Sequence, residues 1–121
     1  MKRLPLLLCL MSFLGCNAAD FCSVDADSFA QIIEDTTVIR LDVRTASEYA
    51  QGHIPNALLI DVTQADFMQK VEQLLPKDKT IALYCRSGRR SKTAAQLLAK
   101  QGYQVIELNT GFNSWQGEVE K

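Results

Sequence analysis

Histidine occurs once in this chain of 121 residues, at His53, and that scarcity counts against a metal centre built on imidazole. The cysteine spacing fits no zinc site either, so no metal and no cofactor are expected. An excess of charge of one sign is also missing. The formal net charge of −1 gives no reason to expect nucleic acid as a partner. No internal repeat, low-complexity tract or interior linker breaks the chain, and its length leaves room for one domain. The apolar run from Leu6 to Leu14, about nine residues, is too short to span a bilayer. Ordinary globular composition remains, 47% hydrophobic and 22% charged, enough for one core.

The first residues read as a leader. Lys2-Arg3 is a basic start, the apolar run follows, and small residues close it in Gly15-Cys16-Asn17-Ala18-Ala19, the pattern of a secretory signal over residues 1–19. Two processing readings stand side by side. Gly15-Cys16 looks like a bacterial lipoprotein cleavage site, a signal of 1–15 that leaves Cys16 as the lipidated first residue, although Phe13 stands where such sites usually carry leucine. Cleavage after Ala18 or Ala19 would instead release a soluble protein. Either route delivers the domain to an oxidising compartment, the bacterial periplasm, with membrane contact only through that lipid anchor. Without Lys2 and Arg3 the remainder carries 11 basic and 14 acidic residues, about −3. Cys22 and Cys85 are then the cysteines not accounted for by the leader. Nothing local to Cys22 argues for activation, and it reads as a spare thiol unrelated to Cys85; the alternative is a mobile tether that swings to the loop and stores Cys85 as a disulfide, which needs Cα atoms within about 7 Å.

Everything else serves the stretch Thr80 to Gly102. Ile81-Ala82-Leu83-Tyr84 has the length and composition of a buried strand. Ala94, Ala95, Leu97 and Leu98 recur at near-helical spacing, with Ser91 as an N-cap candidate and Gly102 where a helix C-terminal glycine belongs. Between them lies the loop Cys85-Arg86-Ser87-Gly88-Arg89-Arg90. A strand that feeds a helix through such a loop aims the Cys85 sulfur at the positive end of the helix dipole, where a thiolate is favoured. Loop amides, with Ser87 and Gly88 among them, can curl into an anion cradle. Arg86, Arg89 and Arg90 add positive charge that is local in a mildly acidic chain, suited to a small anion.

Along the rest of the chain strands and helices alternate. A helix is expected over 25–35, a strand over 37–43, and a helix opened by the capping box Thr45-Ala46-Ser47-Glu48 and closed at Gly52. A turn at His53-Ile54-Pro55-Asn56 leads to a buried run over 57–60. A helix over 63–75 is stopped by Pro76, a strand covers 104–108, and a short helix runs from Phe112 to Trp115. This alternation predicts an α/β fold of three layers, a mostly parallel central sheet with helices on both faces. In such sheets ligands sit beyond the carboxyl ends of the strands, where Cys85 lies.

Four separated motifs then resemble one family in the right order. They are Asp42-Val43-Arg44 with Glu48-Tyr49 and Gly52-His53-Ile54-Pro55, the run from Tyr84 to Ser91, Gly102-Tyr103, and Gly111-Phe112 with Trp115. Together they resemble a single rhodanese domain over 24–118, of the exported phage-shock protein E type. The resemblance implies a sulfurtransferase. Cys85 would take the outer sulfur of thiosulfate or a similar small sulfur anion as a persulfide, and a thiol or cyanide would then accept it. Arg86, Ser87, Gly88, Arg89, Arg90 and Ser91 would hold the substrate, with Asp42 and Arg44 supporting the loop from behind. His53 is expected to be a structural hydrogen-bonding residue, and Trp115 and Phe112 core or pocket rim.

Two other functions compete. Phosphatases related to this fold use a cysteine loop one residue longer, so the six-residue spacing here favours sulfur, while Arg90 at the loop's end keeps arsenate reduction in play. A noncatalytic rhodanese binding module is the alternative from another class. Inactive domains of that kind typically lack the loop cysteine, which this chain has.

Overall fold

A computed structural model describes residues 20–121; the leader at 1–19, with Cys16, lies outside the described residues. The described chain runs β1 (Cys22–Val24), α1 (Ala26–Ile32), β2 (Ile39–Asp42), α2 (Ala46–Gln51), β3 (Leu58–Leu59), α3 (Phe67–Leu74), β4 (Thr80–Tyr84), α4 (Arg89–Lys100) and β5 (Gln104–Leu108), then a 3-10 turn over Phe112–Ser114. The five strands order as β1-β5-β4-β2-β3, and every pairing is parallel. The sheet is covered on both faces, as the alternation of strands and helices predicts.

Strand β4 shows why. Flanked by β2 and β5, it is buried on both sides, so its side chains divide by the period of two that a strand imposes. Ile81 and Leu83 pack with Phe67 and Val71 of α3 and with Ala94, Ala95 and Leu98 of α4. Ala82 and Tyr84 face the other way, into a cluster holding Phe29, Ile33, Ile54 and Leu108. Cys85 continues the alternation and joins the first cluster, 1% exposed. Apolar packing from both layers therefore fixes where the strand ends and the loop begins.

Three local readings are corrected. Strand β1 falls where the sequence suggests no element, because its three residues become a strand only by pairing with Ile106, Glu107 and Leu108 of β5. The helix after the loop is capped at Gly88, φ 101°, with no side-chain cap, and Ser91 lies inside it. Helix α3 also begins at Phe67 instead of residue 63. Its start is preceded by a turn in which Thr63 donates from its amide and hydroxyl to Asp61, a local arrangement that competes with helix. No helix of the described residues is long and apolar enough to cross a membrane.

Candidate active site

The loop after β4 is held by its carbonyls. Phe112 N donates to Cys85 O at 2.8 Å, Asn113 N to Arg86 O at 2.9 Å, and Lys92 Nζ to Gly88 O at 3.1 Å. With those oxygens turned outward, the amides of Ser87, Gly88 and Ser91 converge on the Cys85 sulfur, and Gly88 N reaches Sγ at 3.1 Å. Glycine is required at two points of this frame. A Cβ on Gly88 would stand 1.9 Å from Asn109 O, and one on Gly111, φ 68°, would stand 2.4 Å from Arg86 O. The tight turn that brings the 3-10 segment onto the loop is thus what orients the amides.

The Cys85 thiol is free, and its pKa is lowered from the ordinary value. Burial alone would raise it, but the hydroxyl of Ser91 and then the amides of Ser91, Gly88 and Ser87 together outweigh burial by hydrogen-bonding the charged form. Such a sulfur is a nucleophile without a neighbouring base. Directed N–H and O–H groups carry the effect, where the sequence alone points to the arginines and the helix dipole.

The three arginines separate. Arg86 and Arg89 are exposed at the mouth of the loop. Arg90 donates to both oxygens of Glu48, at 2.8 and 2.9 Å. Glu48 belongs to the capping box of α2, where it also accepts from Thr45 N, so the pair joins α2 to the first turn of α4. Its pKa falls to about 2, first because of the Arg90 hydrogen bond, against burial, and with help from Thr45.

Asp42 and Arg44 form a buried pair behind the loop, Nη2 to Oδ2 at 2.8 Å. Arg44 also donates to Gly52 O at 2.7 Å and lies over the rings of Phe112, the residue that holds Cys85 O, at 4.5 Å and of Tyr84 at 5.6 Å. His53 stacks on Tyr49 at 3.6 Å and places Nδ1 2.8 Å from Tyr49 O. Its backbone pairs with Glu120 in both directions, which ties down the C-terminus. Trp115 meets Phe29 edge-on, and its indole donates to Glu118 O. Cys22 is disulfide-bonded while Cys85 is free, so the two are not joined to each other. Among the described residues no cluster of three acidic, histidine or cysteine side chains could hold a metal.

Sequence reasoning missed three partners of the loop: Glu48 on Arg90, and the pair Lys92 and Glu107 beneath Ser91. Glu107 was findable, because a lone carboxylate in the otherwise buried strand VIEL must have a partner. Glu48 carries only the signal of a helix cap in its own neighbourhood, and its second contact lies 42 residues away in sequence.

Comparison with known proteins agrees with this geometry. A family model described as Rhodanese-like domain matches residues 25–118. The chain is 38% identical over 94 residues to a sulfurtransferase of Allochromatium vinosum, covering 76% of this chain and 85% of that one. It is 30% identical over 86 residues to the thiosulfate sulfurtransferase GlpE of Coxiella burnetii, covering 70% and 78%. Among solved structures, a rhodanese-related protein from Thermoplasma volcanium superimposes with a TM-score of 0.72 at 26% identity, over 83% of this chain and 98% of its own. On the extent of these matches, the chain belongs to the rhodanese-like domain family.

Proposed function

We propose that the protein is a sulfurtransferase that moves a sulfane sulfur from thiosulfate, or a similar small anion, to cyanide or a thiol through a persulfide on Cys85. The observation that carries the reading is the amide cradle, with Ser87, Gly88 and Ser91 N–H groups gathered on one sulfur whose pKa is lowered. The Cys85 thiolate attacks the outer sulfur of thiosulfate. A new S–S bond forms as the bond to the sulfonate sulfur breaks, and its electron pair leaves with sulfite. Arg86 and Arg89, exposed in the same loop, supply the positive charge that stabilises the incoming and departing anions. Cyanide or a thiolate then attacks the outer sulfur, and the bonding pair returns to Cys85.

The contact between Glu48 and Arg90 favours sulfur over a tetrahedral oxyanion. An arginine already held at two points by a carboxylate is poorly placed to clamp arsenate or phosphate. Export by the leader at 1–19, to a periplasmic site either soluble or anchored through Cys16, belongs to the same proposal and rests on the leader's composition. Steady-state kinetics with thiosulfate and cyanide test the mechanism. A covalent intermediate predicts parallel double-reciprocal lines, whereas intersecting lines would contradict it.

A further inference from the structure

Ser91 has one hydroxyl hydrogen and two acceptors. Its Oγ donates to Glu107 Oε2 at 2.5 Å, and the same hydroxyl is in hydrogen-bond contact with the Cys85 sulfur. One O–H cannot serve both fully. Glu107, on β5, is wholly buried. Ser23 Oγ of β1 donates to its Oε1 at 2.6 Å, and Lys92 Nζ approaches Oε2 at 3.2 Å. A buried carboxylate costs several kcal/mol in desolvation unless it is paired and hydrogen-bonded, and here three donors from two elements, β1 and α4, converge to hold it. The charged groups facing this line of contacts can be named from each side. Lys92 faces Glu107. Arg90 faces Cys85, and it is itself held by Glu48 with Asp61 within electrostatic reach.

We propose that Glu107 is a positioning residue for Cys85: it draws the Ser91 hydroxyl hydrogen toward itself and withholds part of one hydrogen bond from the sulfur. No proton changes owner in this arrangement; the hydroxyl only turns between two acceptors. A thiolate loses intrinsic nucleophilicity as its pKa falls, so a sulfur that accepts every donor around it is stable but sluggish. The loop amides make the thiolate accessible, and Glu107 keeps it basic enough to attack. Ser23 and Lys92 tune the effect in turn, because each donor they supply to Glu107 weakens its claim on Ser91.

This inference rests on Cys85 being the reacting atom, yet its test needs no sulfur transfer. The rate of iodoacetamide alkylation of full-length protein, followed by mass spectrometry of the Cys85 peptide across pH, gives the thiol's titration midpoint whatever the reaction. Glu107→Gln should lower that midpoint by about half a pH unit, because a neutral amide competes less well for the hydroxyl. Ser91→Ala should raise it. In the Ser91→Ala background, Glu107→Gln should have no further effect. An unchanged midpoint in Glu107→Gln, or an equal shift in both backgrounds, overturns the proposal, the second because it would mark a plain through-space charge effect. Should Glu107→Gln fail to fold, Ser23→Ala reads the same coupling from the other oxygen. It should raise the midpoint, and no change there would equally refute the role.

Discussion

Arg90 grips Glu48 with both terminal nitrogens, Nη1 to Oε1 at 2.8 Å and Nη2 to Oε2 at 2.9 Å, and so fastens the capping box of α2 to the helix that follows the active loop. The contact gives the fold a defined acid response. Glu48 titrates at about 2 in the folded chain against an ordinary 4.5, so protonation favours the unfolded state. Its contribution is complete above pH 4.5 and is lost as pH falls toward 2. Glu48→Gln should flatten that part of the stability-pH profile, and at neutral pH it should cost about 1 kcal/mol for cap and pair together. Urea melts of both proteins at a series of pH values decide it; an identical acid limb would contradict the assignment.

The arginines should divide by function in the same way. Arg86→Ala and Arg89→Ala leave the packed frame untouched, because both side chains are exposed. Each should raise the KM for thiosulfate by about threefold to tenfold, the size of a partly screened charge contact. Arg90→Ala should act chiefly on melting temperature, since it abandons Glu48. Equal kinetic losses and no thermal effect at Arg90 would mean that its guanidinium serves the substrate after all.

Gly111 lies far from Cys85 in sequence but against it in space. Gly111→Ala puts a Cβ 2.4 Å from Arg86 O at a backbone φ of 68°, a conformation that costs about 1–3 kcal/mol for a residue other than glycine. The 3-10 turn must shift, and with it the amides that hold Cys85 O and Arg86 O. The variant should therefore lose stability and show a raised Cys85 alkylation midpoint together. Loss of stability with an unmoved midpoint would separate the turn from the cradle.

These residues show how far the chain could be read in advance. The alternation of strands and helices, the buried core of β4 and the position of Cys85 at its end follow from short-range pattern, and the structure agrees with them. What pattern does not carry is pairing at a distance. Strand β1 exists through its register with β5, and Glu48 looked like a helix cap because its local contact is one. Ser91 has the residue type of a helix cap, yet it lies inside α4 and its hydroxyl donates to Glu107. The outward-turned carbonyls of the loop depend on Phe112, Asn113 and Lys92, none of which a six-residue motif contains.

The central claim is that sulfur resides on Cys85 between donor and acceptor. The direct measurement is the intact mass of the reduced, full-length protein after thiosulfate, followed by mapping of the Cys85 peptide. One added sulfur should appear on that peptide, vanish on addition of cyanide, and be absent from Cys85→Ser, which should stay folded while losing more than about a thousandfold in turnover. Steady thiocyanate production by a protein whose Cys85 never gains mass, or by Cys85→Ser at a rate near that of the unaltered chain, would contradict the account.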